Sequence, residues 1–304
     1  IEINGSGLLT DYQDRIIYYS AAETRRFEFA MDLADFDTGL VWQRALSPAL
    51  NLEMRLLQSY GRADLQSNGL IGTNAQRFST SRQTGESIAR ASLTHQRNPT
   101  SSVEAGGELA FNWLDAQQSF AVNAIEIPLP QATTLVEELR GEVFASTRRQ
   151  MRENLRIDTS LRLEHSTISQ SGDGSAHRSF FYAKPRLLAT WAPARNTQLR
   201  LRFEREIGQL NFLDFAASSN LANDQVLGGN IDLRPVQRWV AEFATEIRFA
   251  RDGVFTLTLR HDELDDVVDL LPLPGGLTAV GNLGEGTLDR IAVDARLPLR
   301  RLGQ

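Results

Sequence analysis

The chain has 304 residues, a formal net charge of -6, 41% hydrophobic and 23% charged residues, so it is long enough for a large core and too apolar for disorder. Its 32 basic residues are scattered through an acidic chain, which argues against a nucleic-acid partner, and with no cysteine there is no disulfide or thiolate site. No run approaches the roughly 18 apolar residues of a membrane-spanning helix, and no basic stretch followed by an apolar core opens the chain.

From its first residues, Ile1-Glu2-Ile3-Asn4, the sequence reads as strand, and it closes at Arg300-Arg301-Leu302-Gly303-Gln304 without a terminal element. Residues 1–304 are therefore expected to be one segment of a longer protein, with no internal domain boundary. Gly5-Ser6-Gly7 is a short interruption, and Phe27, Phe29, Met31 and Leu33 then begin a period of two. The runs at 86–96 and 135–146 divide less cleanly. From Leu155 the division is strict: Leu155, Ile157, Thr159, Leu161 and Leu163 fall on one face and Arg156, Asp158, Ser160, Arg162 and Glu164 on the other. It recurs as Leu199, Leu201 and Phe203 against Arg200, Arg202 and Glu204, and as Trp239, Phe243, Ile247 and Phe249 against Arg238, Glu242, Glu246 and Arg248. A helical period would scatter these residues around a cylinder.

The runs last about ten to fifteen residues, where a tilted strand crossing a bilayer needs about 9–11 and globular strands have a mode near 5–6. Short links are expected near Ala21-Ala22, Ser47-Pro48, Arg97-Asn98-Pro99, Arg149-Gln150, Pro193-Ala194-Arg195-Asn196 and Arg251-Asp252-Gly253. They alternate with long connections over 61–85, 115–134, 169–178, 208–235 and 265–286. Short turns on one rim and long loops on the other predict an all-β fold, an up-and-down antiparallel transmembrane β-barrel with lipid outside and a wet, charged lumen.

From about residue 100 to 295 the chain resembles the barrel of TonB-dependent outer-membrane receptors. The resemblance is carried by Phe181-Tyr182-Ala183-Lys184-Pro185-Arg186-Leu187, by Trp191-Ala192-Pro193 with the strand from Leu199 to Glu206, and by Ile207-Gly208-Gln209-Leu210-Asn211-Phe212-Leu213-Asp214-Phe215. It continues in Gly229-Asn230-Ile231-Asp232-Leu233-Arg234-Pro235, where Val236 replaces the usual acidic residue, in Asp265-Asp266-Val267-Val268-Asp269, and in Val280-Gly281-Asn282-Leu283-Gly284-Glu285-Gly286. The family's barrel has about 22 strands around a plug. About fourteen are expected here, so the resemblance implies that the N-terminal plug and several C-terminal strands lie outside the chain. It further implies a bacterial outer-membrane location, uptake of a small ligand such as a siderophore, vitamin or glycan, and energy from the TonB complex acting through the plug.

His95, His165, His177 and His261 have no metal-ligand spacing, and no cofactor is implied. His261-Asp262-Glu263 with Asp265, Asp266 and Asp269 is an acidic cluster that could attract a cation or form a solvated rim. Ser169-Gln170-Ser171-Gly172-Asp173-Gly174-Ser175 reads as a flexible outer loop. Phe212 and Phe215 are the ligand-binding candidates, with anchoring or packing as the other reading. Arg156, Arg162, Arg200, Arg202, Glu242, Glu246 and Arg248 should form a charge ladder across strands, facing a plug or lining a pore. No acid/base pair or nucleophile supports an enzyme. The alternatives are a passive porin-like or structural barrel and, further off, a soluble β-sandwich binding module.

Overall fold

The computed structural model of the chain describes residues 1–19, 24–129, 131–220, 225–249, 252–272 and 278–297. Long strands come in chain order as β1 (Glu2–Tyr19), β2 (Thr24–Ser47), β3 (Leu50–Ile71), β4 (Asn74–Asn98) and β5 (Ser101–Val122). After the short β6 (Ile125–Ile127) follow β7 (Thr133–Arg152), β8 (Leu155–Gly172), β9 (Ala176–Ala194) and β10 (Thr197–Ile207). Two more short strands, β11 (Ser218–Asn220) and β12 (Gln225–Gly228), precede β13 (Gln237–Phe249), β14 (Gly253–Pro272) and β15 (Thr278–Arg296). The long strands form one antiparallel meander in sequence order, with β6 on β5 and β12 laid parallel to the start of β15. Among the described residues β1 and β15 do not pair with each other, so the path is open at both edges.

Strands run much further than their alternating cores. β3 and β4 pair without interruption from Leu50↔His95 to Ile71↔Asn74, around a turn whose Gly72 takes φ 61°. The long connection expected over 61–85 is therefore a continuing hairpin. Most of 115–134 and of 169–178 is likewise strand, with β8 closing onto β9 after Gly172 rather than opening into a flexible loop. Polar, turn-rich composition is the reason these stretches read as loops; a hairpin standing in water satisfies its backbone just as well with polar side chains on its outer face. Among the described residues of the expected long connections, 265–272 and 278–286 are also strand, while 208–235 is largely irregular, with a 3-10 turn (Phe212–Phe215), β11 and β12.

The expected links shift accordingly. Gly5-Ser6-Gly7 lies inside β1, and the turn after β7 falls at Glu153-Asn154, beyond Arg149-Gln150. Ala21-Ala22, Arg251 and residues 300–304 lie outside the described residues. The strands flanking Ala21-Ala22 meet at Tyr19↔Thr24, on the rim of the β3–β4 turn, not on the rim of Ser47-Pro48.

The face assignment is the decisive feature. Outward on β7, β8, β10 and β13 stand Val143, Leu161, Leu201 and Phe243; Val143 is 61% exposed and Leu201 53%. Inward on the same strands, Glu142 and Glu204 are each 7% exposed. A sandwich would bury the apolar rows and expose the carboxylates. Along β8 the outward apolar band covers 155–163, close to the roughly 9–11 residues that a tilted strand needs to cross hydrocarbon. Its upper margin carries aromatics: Trp113 packs 6.3 Å from Tyr60 and lies over Gly85, where a Cβ would sit 2.2 Å from the indole nitrogen. Rings at this level suit the bilayer interface.

Above that margin the assignment reverses. Outward on β3 and β4 stand Arg62, Asp64, Gln66, Arg77 and Ser81, joined by Arg62–Asp64 at 2.9 Å and Ser81–Asp64 at 2.6 Å. Inward, Phe27 and Phe78 are buried with Leu129 and Ala217. The row Phe27, Phe29, Met31 and Leu33 thus belongs to the inner face: Phe27 pairs with Gly69, where a Cβ would lie only 3.2 Å from the ring. The apolar row of β2 faces inward because water, not lipid, lies outside at this level.

Candidate functional site

Two features of the inner wall could serve function: a charge lattice across the membrane level, and a loop seated above it. The lattice begins on β4, where Arg90 meets Glu108 of β5 at 3.3 Å, and Arg140 of β7 reaches the same carboxylate at 3.8 Å. Glu142 takes Arg162 of β8 at 3.0 Å and Lys184 of β9 at 2.5 Å, and Lys184 also holds Glu164 at 2.7 Å. Arg186 bonds Glu204 at 2.9 Å, while Arg202 joins Glu204 and reaches Glu242 of β13 at 2.8 Å. The series ends on β14, where Asp262, with no exposed surface, is held by Arg260 at 2.7 Å and Arg238 at 3.6 Å. Glu108, Glu142 and Glu164 stand side by side in register, and each carboxylate of the series is neutralised by a base offset along its own or a nearby strand.

Phe144 sits within this lattice, with the Arg90 guanidinium 4.2 Å and that of Arg162 5.6 Å from its ring centre. Gly106 makes this possible, since a Cβ there would come within 2.7 Å of the ring. A cleft of about 360 Å³ opens beside it, lined by Arg90, Arg148, Arg156, Arg162 and Arg186 with Glu104 and Asp158. Basic groups outnumber acids in that lining, which gives the lower wall a positive face.

Of the residues expected in the ladder, Arg156, Arg162, Arg202, Glu242, Glu246 and Arg248 all make ion pairs. Arg200 faces inward and makes none among the described residues. Sequence patterning placed Glu164 on the charged face and Lys184 in a quoted motif, but named neither as the lattice's centre and missed Glu142 and Glu108. Their partners are 18 or more residues away, and only register brings them together.

The acidic cluster is divided. Asp262 points inward into the lattice, while His261 points outward and bonds Asp289 of β15 at 2.7 Å. Asp266 sits at a bulge with φ 55° and accepts a bond from Gln237. Among the described residues no three His, Asp or Glu side chains converge on a metal position. Asp173 closes the β8–β9 turn by accepting the Thr133 amide at 2.9 Å.

The loop from β10 to β13 lies against the upper inner wall. Phe215, 2% exposed, packs with Ala216 and Leu233 on Leu114, Ala116, Val136 and Ile168 of β5, β7 and β8, and Phe212 meets it edge-on at 6.1 Å. Burial beside the turn raises the Asp214 carboxyl above its ordinary range. Gly229 is required where the loop crosses itself, because a Cβ would lie 2.1 Å from the Phe215 carbonyl oxygen. Asn230 donates to Val280 O at 2.8 Å, and its own amide bonds Asp214 O. Asn282 accepts from the Arg234 amide at 2.9 Å and donates to Arg234 O and Asp266 O. The two asparagines of the Gly-Asn motifs thus pin the loop to β14 and β15, and Arg178 ties Asp232 to β9.

A family model described as TonB dependent receptor-like, beta-barrel, matches residues 3–296. Among solved structures the chain is similar to the ferric-catecholate import receptor Fiu from E. coli K12, at 10% identity and a TM-score of 0.59, covering 91% of this chain and 46% of that one. It is similar to the ferric citrate transporter FecA, at 13% identity and 0.61, covering 99% and 48%. A third is the Serratia marcescens hemophore receptor HasR, solved with its hemophore and heme, at 10% and 0.56, covering 96% and 57%. The chain spans about half the length of these solved proteins. No curated protein matches.

Proposed function

The chain belongs to the TonB-dependent receptor β-barrel family, a bacterial outer-membrane family, and from that premise we propose that it forms part of the wall of a receptor for active uptake of a small ligand, of the siderophore, vitamin or glycan class. In this reading, strands outside these residues complete the cylinder, a plug fills the lumen against the charge lattice, and the TonB complex acts through the plug. The β10–β13 loop carries the proposal. A passive pore needs an open mouth, whereas this loop is packed and pinned across the upper inner wall. Phe215 holds the loop, and the half-buried edge of Phe212 is where an arriving ligand meets it. The lower lattice presents fixed charges to the plug, with the arginine-lined cleft favouring acidic groups on it.

The test is uptake by cells carrying or lacking the gene, offered labelled ferric siderophores, cobalamin and oligosaccharides, with and without collapse of the proton gradient. Uptake of one solute that needs both the gene and the gradient is the expected result. Gene-dependent uptake that survives collapse of the gradient would instead make the protein a passive channel.

A further inference from the structure

Each carboxylate of the lattice has a base beside it, but the wall immediately above does not. In direct register across β2, β3, β4, β5 and β7 stand Asp37, Ser59, Glu86, Asn112 and Glu138, with Asp35 one level higher. Among the described residues no Arg, Lys or His lies within ion-pair distance of Asp35, Asp37, Glu86 or Glu138; the nearby Arg90 and Arg140 are engaged by Glu104 and Glu108. Glu138 is 7% exposed, and its two oxygens are met by neutral donors, the Ser166 hydroxyl at 2.6 Å and the Asn112 amide nitrogen at 3.1 Å.

Asn112 supplies the independent observation. It is 6% exposed, its nitrogen is committed to Glu138, and its Oδ1 has no donor. The opposite amide orientation would set two acceptors together, so the orphan oxygen must face away from Glu138, along the row. Gln118 and Gln170, further up the inner wall, also leave their amide oxygens without donors. On β5 and β8 the orphaned atoms are acceptors, whereas the orphaned donors, Arg202 Nε and Arg205 Nε, lie on β10. The inward base above the row on β4, Arg82, is two residue pairs higher than Asp35. Acceptors without donors are costly in a poorly solvated wall.

Strand spacing distinguishes the kind of cation. Glu86 and Glu138 are two strands apart, as are Asp37 and Glu86, or about 10 Å at the usual spacing. From Asp37 to Glu138 the row spans about 19 Å at that spacing, and among the described residues no three of its acidic side chains gather at a metal position. They suit separate N–H donors spread along an organic molecule. We propose that this row is a binding site for an organic cation, with ammonium or guanidinium groups on Glu138 and Asn112 at the buried end and on Glu86 and Asp37 toward the open wall. The site rests on the wet-lumen reading above. Its cation comes either from an imported solute or from a basic side chain of a segment filling the lumen.

The test uses full-length receptor purified from outer membranes in detergent, with Glu138→Gln, Glu86→Gln and the double variant. Ser166 can turn its hydroxyl to accept from the new amide, so Glu138→Gln keeps its local bonds. Spermine is titrated by calorimetry, with citrate as the anionic control, and Tm is recorded. Spermine binding to the unaltered receptor that falls at least tenfold in Glu138→Gln and further in the double variant, with citrate unaffected, assigns the cation to a solute. Absence of spermine binding with a lower Tm in both single variants assigns it to a resident side chain. Spermine binding that is equal in all forms overturns the site. So does absence of spermine binding with Tm unchanged or raised, since removing an uncompensated buried charge should not destabilise. Uptake is not the readout, so failure here leaves the import reading standing.

Discussion

The membrane-level belt and the wall above it share one sheet and one period of two, yet they place their apolar residues on opposite faces. In the belt Val143, Leu161 and Leu201 point out and Glu142, Glu164 and Glu204 point in. Above it Phe27, Phe78 and Leu114 point in, against Leu129, Ala217 and Phe215, while Arg62, Asp64 and Ser81 point out. Alternation therefore says that two faces differ, and what touches each face decides which is apolar. Hydrocarbon outside and water inside give one sign; water outside and a packed loop inside give the other.

The largest expected effect is in the upper region. Phe215→Ala removes a buried ring from the loop's seat and should cost about 3–5 kcal/mol of local stability. Hydrogen exchange across 208–236 should then rise while the belt strands stay protected. Exchange rising equally in both regions would mean that the loop and the belt are one cooperative unit.

A charge on the outer face separates the regions next. Leu201→Arg, near the middle of the apolar band, should destabilise the protein in phospholipid vesicles by about 2–4 kcal/mol. Ser119→Arg, outward on β5 above the band, should stay within about 0.5 kcal/mol. Urea unfolding in vesicles measures both, and equal costs would erase the boundary drawn between the regions.

The smallest effect concerns pH. The Ser81 hydroxyl, and then Arg62, hold the Asp64 carboxyl below its ordinary range. A lowered folded pKa gives stability that is present above the unfolded value near 4 and is lost as pH falls through the folded one. The β3–β4 hairpin above the belt should therefore loosen in mild acid, and Asp64→Asn should remove that dependence. Exchange rates of the hairpin amides between about pH 5 and 3 follow it.

The belt was legible because its residues answer to lipid, a solvent that acts on every strand alike. The rows from Leu155, Leu199 and Trp239 could be assigned without knowing any partner. The upper wall was not, because its inward residues answer to distant ones: Phe27 packs near Phe78, Leu129 and Ala217, contacts that no local pattern encodes. The hairpin over 61–85 read as a loop because its composition is polar and turn-rich, as suits strands with water outside. Gly229, Asn230 and Asn282 stood out in the sequence, but their work in pinning the loop needed the crossing of its backbone to be seen. The row of Asp37, Glu86, Asn112 and Glu138 exists only through register, each member lying on a different strand.

With no native cysteine, single cysteines can be placed at 199–204 and at 62–68, spin-labelled, and compared in native membranes for collision with oxygen and with a water-soluble nickel chelate. The account predicts oxygen-dominated contact at Leu199, Leu201 and Phe203, nickel-dominated contact at Arg200 and Arg202, and nickel contact at the outward positions Arg62, Asp64, Gln66 and Asn68. Shielding of the Leu199, Leu201 and Phe203 row from both reagents would show an apolar interior instead, and would contradict it.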